Sequence, residues 1–362
     1  MPQRSGGLAR AGLGLAISIV SIAFVLRGVD LGRTAQILAA TLPAWLLLAL
    51  GLQSLDVVLR AVRWQRLLVP IQAVHFGPML GYLLIGYLAN NILPARLGEL
   101  VRSHYLGDRE GISRAAALGT VVVERIIDTV VVVAIGAIAI LVLHVRGVVA
   151  NAVLLGLAIS ALLVLGLALG LVAHRLPGAG RVLAIAERRP LVAQLGRRLQ
   201  EGLGVVRRPR TLVEGIGLSL AAWTAAVLAL AASGQALGLQ LTIGEAALLA
   251  AGIALATAIP SGPGYLGTFE LAAVKIGETL GIPADRALAL AILTHASILL
   301  LTSTGGAVAF LRLGWRRSAG EVGQVAHGAL EGEGYLEIGL DAAPDARPDV
   351  PPVPRSETAL RP

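Results

Sequence analysis

Apolar positions along this chain gather into long runs separated by short polar stretches rich in arginine. Six runs are about sixteen residues or longer, and at 1.5 Å per residue they approach the ~30 Å of a bilayer's hydrocarbon core. They predict helices near 11–26, 43–59, 115–143, 148–173, 212–232 and 287–311. Two further apolar segments, 76–93 and 246–259, end in polar breaks. The first break reads Asn90-Asn91-Ile92-Leu93-Pro94-Ala95-Arg96-Leu97-Gly98-Glu99-Leu100-Val101-Arg102. The second reads Ile259-Pro260-Ser261-Gly262-Pro263-Gly264-Tyr265-Leu266-Gly267-Thr268-Phe269-Glu270. Each is followed by a short apolar segment, 97–107 and 271–280. Broken backbone at membrane depth is tolerated only where it is buried in protein or lines a polar cavity. The two breaks therefore read as two halves of one polar site.

Composition fixes the class. The 362 residues are 56% hydrophobic and 14% charged, and a soluble domain does not expose so much apolar surface. The 44 glycines suit close helix packing in lipid. There is no cysteine, hence no thiolate metal site, and no metal or other cofactor is expected. The formal charge of +8 does not indicate nucleic acid, because the arginines flank apolar runs as the positive-inside rule requires. The first run lacks a small-x-small cleavage pattern and reads as a retained helix. Residues 318–362 form an acidic, proline-rich tail that cannot bury a core and is expected to be disordered.

The charge distribution then bears on topology. If every apolar run crossed once with the N-terminus inside, the basic segment 174–210 would face outside. If each broken segment is a re-entrant hairpin, the N-terminus, 60–75, 94–114, 174–210 and the arginines after 311 all lie inside. The expected fold is all-α: a polytopic membrane protein with six full spans and two re-entrant helical hairpins, both termini cytoplasmic, in the cell membrane. Its membrane domain covers 1–317, with repeat halves about 8–145 and 146–317 of opposite sense, an arrangement found in transporters. Eight spans is the alternative, since about seventeen residues before Pro94 is long for half a crossing. Within 174–210, Val192, Leu195, Leu199, Leu203 and Val206 share one helical face, which suggests an amphipathic helix on the anionic leaflet.

Candidate chemistry concentrates at the breaks and in the third of the long runs, 115–143. Glu124, Arg125 and Asp128 lie about 15 Å into helix 115–143, where each charge costs on the order of 2.5–3.5 kcal/mol and needs partners. They could hold a charged headgroup or coupling ion, or tie the helix to Arg96 or Arg102. Arg96 and Arg102 offer forked donors for phosphate, or reach the cytoplasmic surface by snorkelling. Asn90 and Asn91 could satisfy backbone groups freed by the break. Asp56 with Arg60 reads as a structural i,i+4 pair, and Lys275 either as a counter-ion of Glu270 or Glu278 or as a residue facing the outer headgroups. Pro94, Gly98, Pro260, Gly262, Gly264 and Gly267 form the hairpin tips. Asn91, Arg96, Glu99, Arg102, Glu124, Arg125, Asp128 and Glu270 are the candidate lipid- or substrate-binding residues. No nucleophile elbow, phosphate loop or zinc-protease motif is present, and the six histidines lack ligand spacing.

On these residues the chain resembles the flippase-like membrane domain of lysylphosphatidylglycerol synthases, which also occurs as stand-alone membrane proteins. The matching pieces are Asn91…Pro94…Arg96…Gly98-Glu99…Arg102, Glu124-Arg125…Asp128, and Pro260-Ser261-Gly262-Pro263-Gly264…Gly267…Glu270, over about 8–312. Pro263 departs from the glycine common at that place. The resemblance implies a domain that translocates aminoacylated or other polar lipids. Aminoacyl transfer in the family needs a large soluble domain, so this chain is expected to be no enzyme by itself. It would act alone or beside a separate lipid-modifying enzyme or glycosyltransferase. A non-transporting partner role, and an ion-coupled small-solute transporter, are the other readings.

Overall fold

The computed structural model describes residues 4–93, 97–172, 200–259 and 261–313. Pro94, Arg96, Pro260, most of the basic segment 174–210, and the tail lie outside these residues. The described chain is helical: α1 (Arg4–Arg27), α2 (Leu31–Ala39), α3 (Pro43–Leu68), α4 (Phe76–Ile92), α5 (Gly98–Glu110), α6 (Arg114–Leu143), α7 (Val148–Val172), α8 (Pro209–Ala236), α9 (Ile243–Ala256), α10 (Thr268–Thr279) and α11 (Ala284–Leu313), with 3-10 turns at Gly204–Arg207 and Pro263–Tyr265. Helices α3, α6, α7, α8 and α11 are each long and apolar enough to cross a membrane. α1 and α2, bent by 89° at their junction, add a sixth candidate when the pair is taken as one span. The turn is fixed locally, because the Asp30 carboxylate accepts from the Arg33 N–H at 3.1 Å and caps α2. Large apolar side chains such as Phe24, Leu47, Leu141, Leu155 and Leu162 remain exposed on these helices, the surface that hydrocarbon covers. The protein is a polytopic helical membrane protein.

Two sequence expectations change here. The helix expected at 43–59 continues to Leu68, so Arg60 and Arg63 belong to a span and not to a basic loop. Ala61, Trp64 and Leu68, spaced by three and four, extend its buried face. Between α1 and α3, where the apolar runs predict no element, the chain forms α2. At the end of the basic segment, Leu203, Val205 and Val206 pack with Leu67, Val123 and Ile127. Leu203 and Val206 of the expected amphipathic face thus meet protein, while Val192, Leu195 and Leu199 lie outside the described residues.

The two halves repeat with opposite sense. α3 and α8, of 26 and 28 residues, pack antiparallel: the Leu42 N–H donates to the Ala236 carbonyl at one end, and Gly215 meets Leu67 at the other. α6 and α11 have 30 residues each. Between these pairs sit the broken elements. α4 and α5 return to one side, since Gln72 and Tyr82, before and early in α4, both bond Glu110 at the end of α5, at 2.8 Å. α9 and α10 also return, with Leu239 and Leu241 before α9 packed in one cluster with Leu280 and Ile282 after α10. Because α3 and α8 are antiparallel, the two hairpins enter from opposite sides.

Each hairpin packs on the other half's long helix. Asn91, Leu84 and Gly81 of α4 meet Thr302, Gly305 and Leu313 of α11 in antiparallel register. Ala251 and Gly244 of α9 meet Gly136 and Leu143 of α6 in the same way.

Candidate functional site

The two breaks differ in how they satisfy their backbone. In the first hairpin the Asn90 side-chain oxygen accepts the Gly98 N–H at 2.7 Å, so Asn90 caps α5 across the break. Gly98 lies directly against the Gly86 carbonyl, an approach that leaves no room for a Cβ. In the second hairpin the chain turns through Gly264 (φ 62°), Tyr265 (φ 61°) and Gly267 (φ 88°). The Gly262 N–H donates to Ser18 of α1 at 2.9 Å, and the Gly267 N–H donates to Glu270 at 2.6 Å. The second turn meets the end of α4: the backbone of Gly264 lies beside the carbonyl of Asn91.

Behind the first hairpin stands a buried ion network. Arg63, fully buried, pairs with Glu124 at 2.9 Å and with both oxygens of Asp128, and donates to Ser219 at 2.6 Å. Arg102 pairs with Glu124 at 3.2 Å and lies 4.6 Å over the Trp64 ring, whose N–H donates to Thr120. Arg60 pairs with Asp56 at 2.8 Å and with Asp128 at 3.4 Å, beneath Trp223. Arg125 pairs with Glu124 and Asp128. Taking charges out of water costs several kcal/mol each, roughly offset only when the geometry is good and every group is bonded. Four guanidiniums here meet three carboxylates, Asp56, Glu124 and Asp128.

Between the two hairpins lies a cavity of about 290 Å³. One wall is polar and includes Gln53, Asp56, Arg60, Asn91, Glu99 and Arg125. The facing wall is largely apolar, with Leu230, Ile253, Phe269, Ile298 and Leu301. Several buried polar atoms on the walls have no hydrogen-bond partner among the described residues: both amide atoms of Gln53, Oε2 of Glu99, Nε of Arg125 and Oγ1 of Thr294. Arg125, with 39% of its side chain exposed, is the most open member of the ion network, and it opens onto this space.

Of the candidate residues, Asn91, Glu99 and Arg125 stand on the cavity wall. Arg102, Glu124 and Asp128 form the layer behind it. Arg102 is buried at Glu124, which excludes snorkelling. Asn91 donates to Thr302 and Ser303 at 2.9 Å, joining the first hairpin to α11. Gly98, Gly262, Gly264 and Gly267 shape the tips without reaching the wall. Glu270 is directed away from the cavity, to His295 at 2.6 Å. Lys275 pairs with Glu278 near the surface at 2.8 Å, not with Glu270. Sequence reasoning missed Arg63 and His295, and assigned Asp56 and Arg60 to structure alone although both line the cavity. The signal for Arg63 was its place in the three-four spacing of Ala61, Trp64 and Leu68. His295 had no local signal.

Five or six spans, two opposed hairpins and a polar cavity between them define an inverted-repeat membrane domain. Residues 12–306 match the model of the lysylphosphatidylglycerol synthase TM region, and the chain belongs to that family. It is similar to a UPF0104 membrane protein of Methanocaldococcus jannaschii, 32% identical over 120 residues, which are 32% of this chain and 36% of that protein. It is also similar to a UPF0104 membrane protein of Methanothermobacter thermautotrophicus, 28% identical over 121 residues, 32% of this chain and 35% of that protein. The chain spans about a third of the length of these curated relatives.

Proposed function

We propose that this protein carries the headgroup of a polar lipid, a phospholipid or a lipid-linked sugar, through the cavity between its hairpins. It does so from a cell membrane with both termini cytoplasmic, and it performs no chemistry on the lipid. The observation that carries this reading is the set of buried polar atoms lining the cavity without partners among the described residues, four on the polar wall at Gln53, Glu99 and Arg125 and one at Thr294 of α11. A buried donor or acceptor left unbonded costs about 1–3 kcal/mol, so five such atoms in one space favour a polar occupant. Glu99 can only accept, Arg125 Nε can only donate, and Gln53 and Thr294 can do both. A headgroup carrying phosphate or hydroxyl groups offers both kinds of partner. The volume is at the lower edge of small-molecule pockets, about 300–1,000 Å³, which suits a headgroup with its acyl chains left in the bilayer. Arginine-flanked segments support the orientation.

The test is reconstitution into vesicles with head-labelled phospholipids, reading loss of label to a membrane-impermeant quencher. Wild-type protein is expected to expose inner-leaflet label faster than protein-free vesicles, and Glu99→Gln and Gln53→Leu to slow it. Folded wild-type protein that moves no label overturns the proposal. If it then recovers a lipid-modifying enzyme in a complex, a non-transporting partner role replaces it.

A further inference from the structure

His295 lies on α11, buried, with both ring nitrogens engaged. Nε2 stands 2.8 Å from the Gly264 carbonyl and Nδ1 stands 2.6 Å from Glu270 Oε1. The carbonyl can only accept, so Nε2 carries a proton. Two acceptors do not approach to 2.6 Å, so a second proton lies between Nδ1 and the carboxylate. Glu270 Oε2 meanwhile accepts the Gly267 N–H. The pair thus holds one proton more than a neutral ring beside a carboxylate, and through it α11 grips both sides of the second hairpin's tip. That tip is strained: Tyr265, a bulky residue, sits at positive φ next to Gly264, a conformation that persists only where the surroundings hold it.

We propose that Glu270 and His295 form a proton-binding site whose loading holds the second hairpin tip, so that passage of lipid through the cavity is coupled to proton movement. This rests on the lipid-carrying function proposed above. With the proton bound, both acceptors are satisfied and the pair is formally neutral. When the proton leaves Nδ1 by way of the Glu270 carboxylate, the more exposed member of the pair at 14% against 4%, the pair becomes an anion and its close contact becomes repulsive. The ring then turns or withdraws, the Gly264 carbonyl loses its donor, and the left-handed turn relaxes beside Asn91 of the first hairpin.

The groups facing the pair leave it isolated from other strong charges. Phe269 of α10 stacks on the imidazole with ring centroids 4.2 Å apart. α1 presents the hydroxyls of Ser18 and Ser21, and the charged residues of α9 and α8 are Glu245, Arg210 and Glu214, all near the starts of those helices. Tyr265 borders the cavity on the same side. The titratable groups of the opposite wall are Asp56, Arg60, Tyr87, Glu99 and Arg125. The Arg33–Asp285 and Lys275–Glu278 pairs sit toward the far ends of α11 and α10.

Two readouts test this separately from lipid passage. In protein carrying 15N-labelled histidine, assigned with His295→Gln, the His295 ring is expected to be protonated on both nitrogens at neutral pH and to lose one proton on alkalinisation. A neutral single tautomer at neutral pH overturns the proposal. In vesicles with an imposed pH gradient, the leaflet ratio of labelled lipid is expected to shift by up to about tenfold per pH unit for one proton per lipid. The shift is expected to vanish in Glu270→Gln and His295→Gln. Wild-type transport with a gradient-independent leaflet ratio overturns the coupling and leaves the lipid function standing. No wild-type transport under any gradient removes the lipid function and the coupling with it, while the ring spectrum still decides whether the pair holds a proton. The wild-type readouts stand even if a variant fails to fold.

Discussion

Glu99 and Glu270 occupy the same place in two halves of opposite sense, in the first turn of the helix that returns from each break. Arg125 and His295, likewise, each lie eleven residues past the first residue of α6 and α11. In the second half the carboxylate and its counterpart have closed on each other at 2.6 Å. In the first half Arg125 is drawn to Glu124 and Asp128, and Glu99 keeps an unpartnered oxygen toward the cavity. The difference arises from what stands behind. α3 brings Asp56, Arg60 and Arg63 to α6, whereas the facing α8 brings only Ser219 and Trp223 to the network. One repeated layout thus yields a charged wall on one side and a closed carboxylate–histidine pair on the other.

Removing the charges behind the first hairpin should give the largest effect. Arg63→Ala leaves Glu124 and Asp128 short of a buried partner, an expected loss of about 3–5 kcal/mol, read as loss of monodisperse protein in a detergent thermal-shift assay. Ser219→Ala, its contact from the second half, should cost far less; equal losses would dissolve the contrast between the halves. Gly98→Ala comes next, at about 1–3 kcal/mol from overpacking, because its Cβ meets the Gly86 carbonyl and Asn90.

The carboxylates themselves give the sharpest test. Glu270→Gln breaks a bonded, closed pair and is expected to lower stability by about 1–3 kcal/mol. Glu99→Gln is expected to stay within about 0.5 kcal/mol of wild type while slowing lipid passage. If Glu99→Gln destabilises as much as Glu270→Gln, Glu99 is a structural residue and the asymmetry fails. Lys275→Ala, removing a largely exposed pair, should change neither stability nor transport measurably.

The spans and breaks were legible because a 3.6-residue helix crossing hydrocarbon leaves long apolar runs and few places for proline. The site was legible only in part. Glu99, Arg125 and Asn91 stood out as polar residues inside such runs. Arg60 and Arg63 did not, because arginines just after an apolar run look like a cytoplasmic flank; only the continuing positions Ala61, Trp64 and Leu68 mark a helix that goes on. His295 is 25 residues from Glu270 in sequence. A lone histidine in an apolar helix has no periodicity to announce a partner on another element.

The crossed packing of the hairpins has a consequence for synthesis. Asn91 of α4 bonds to α11 across 211 residues of chain, so the first hairpin cannot seat against its partner until the final helix has entered the membrane. α4 must wait in lipid or against temporary neighbours while the intervening spans emerge. The ion network of α3, α5 and α6, whose partners are nearly all made early, can hold the first half together during that wait.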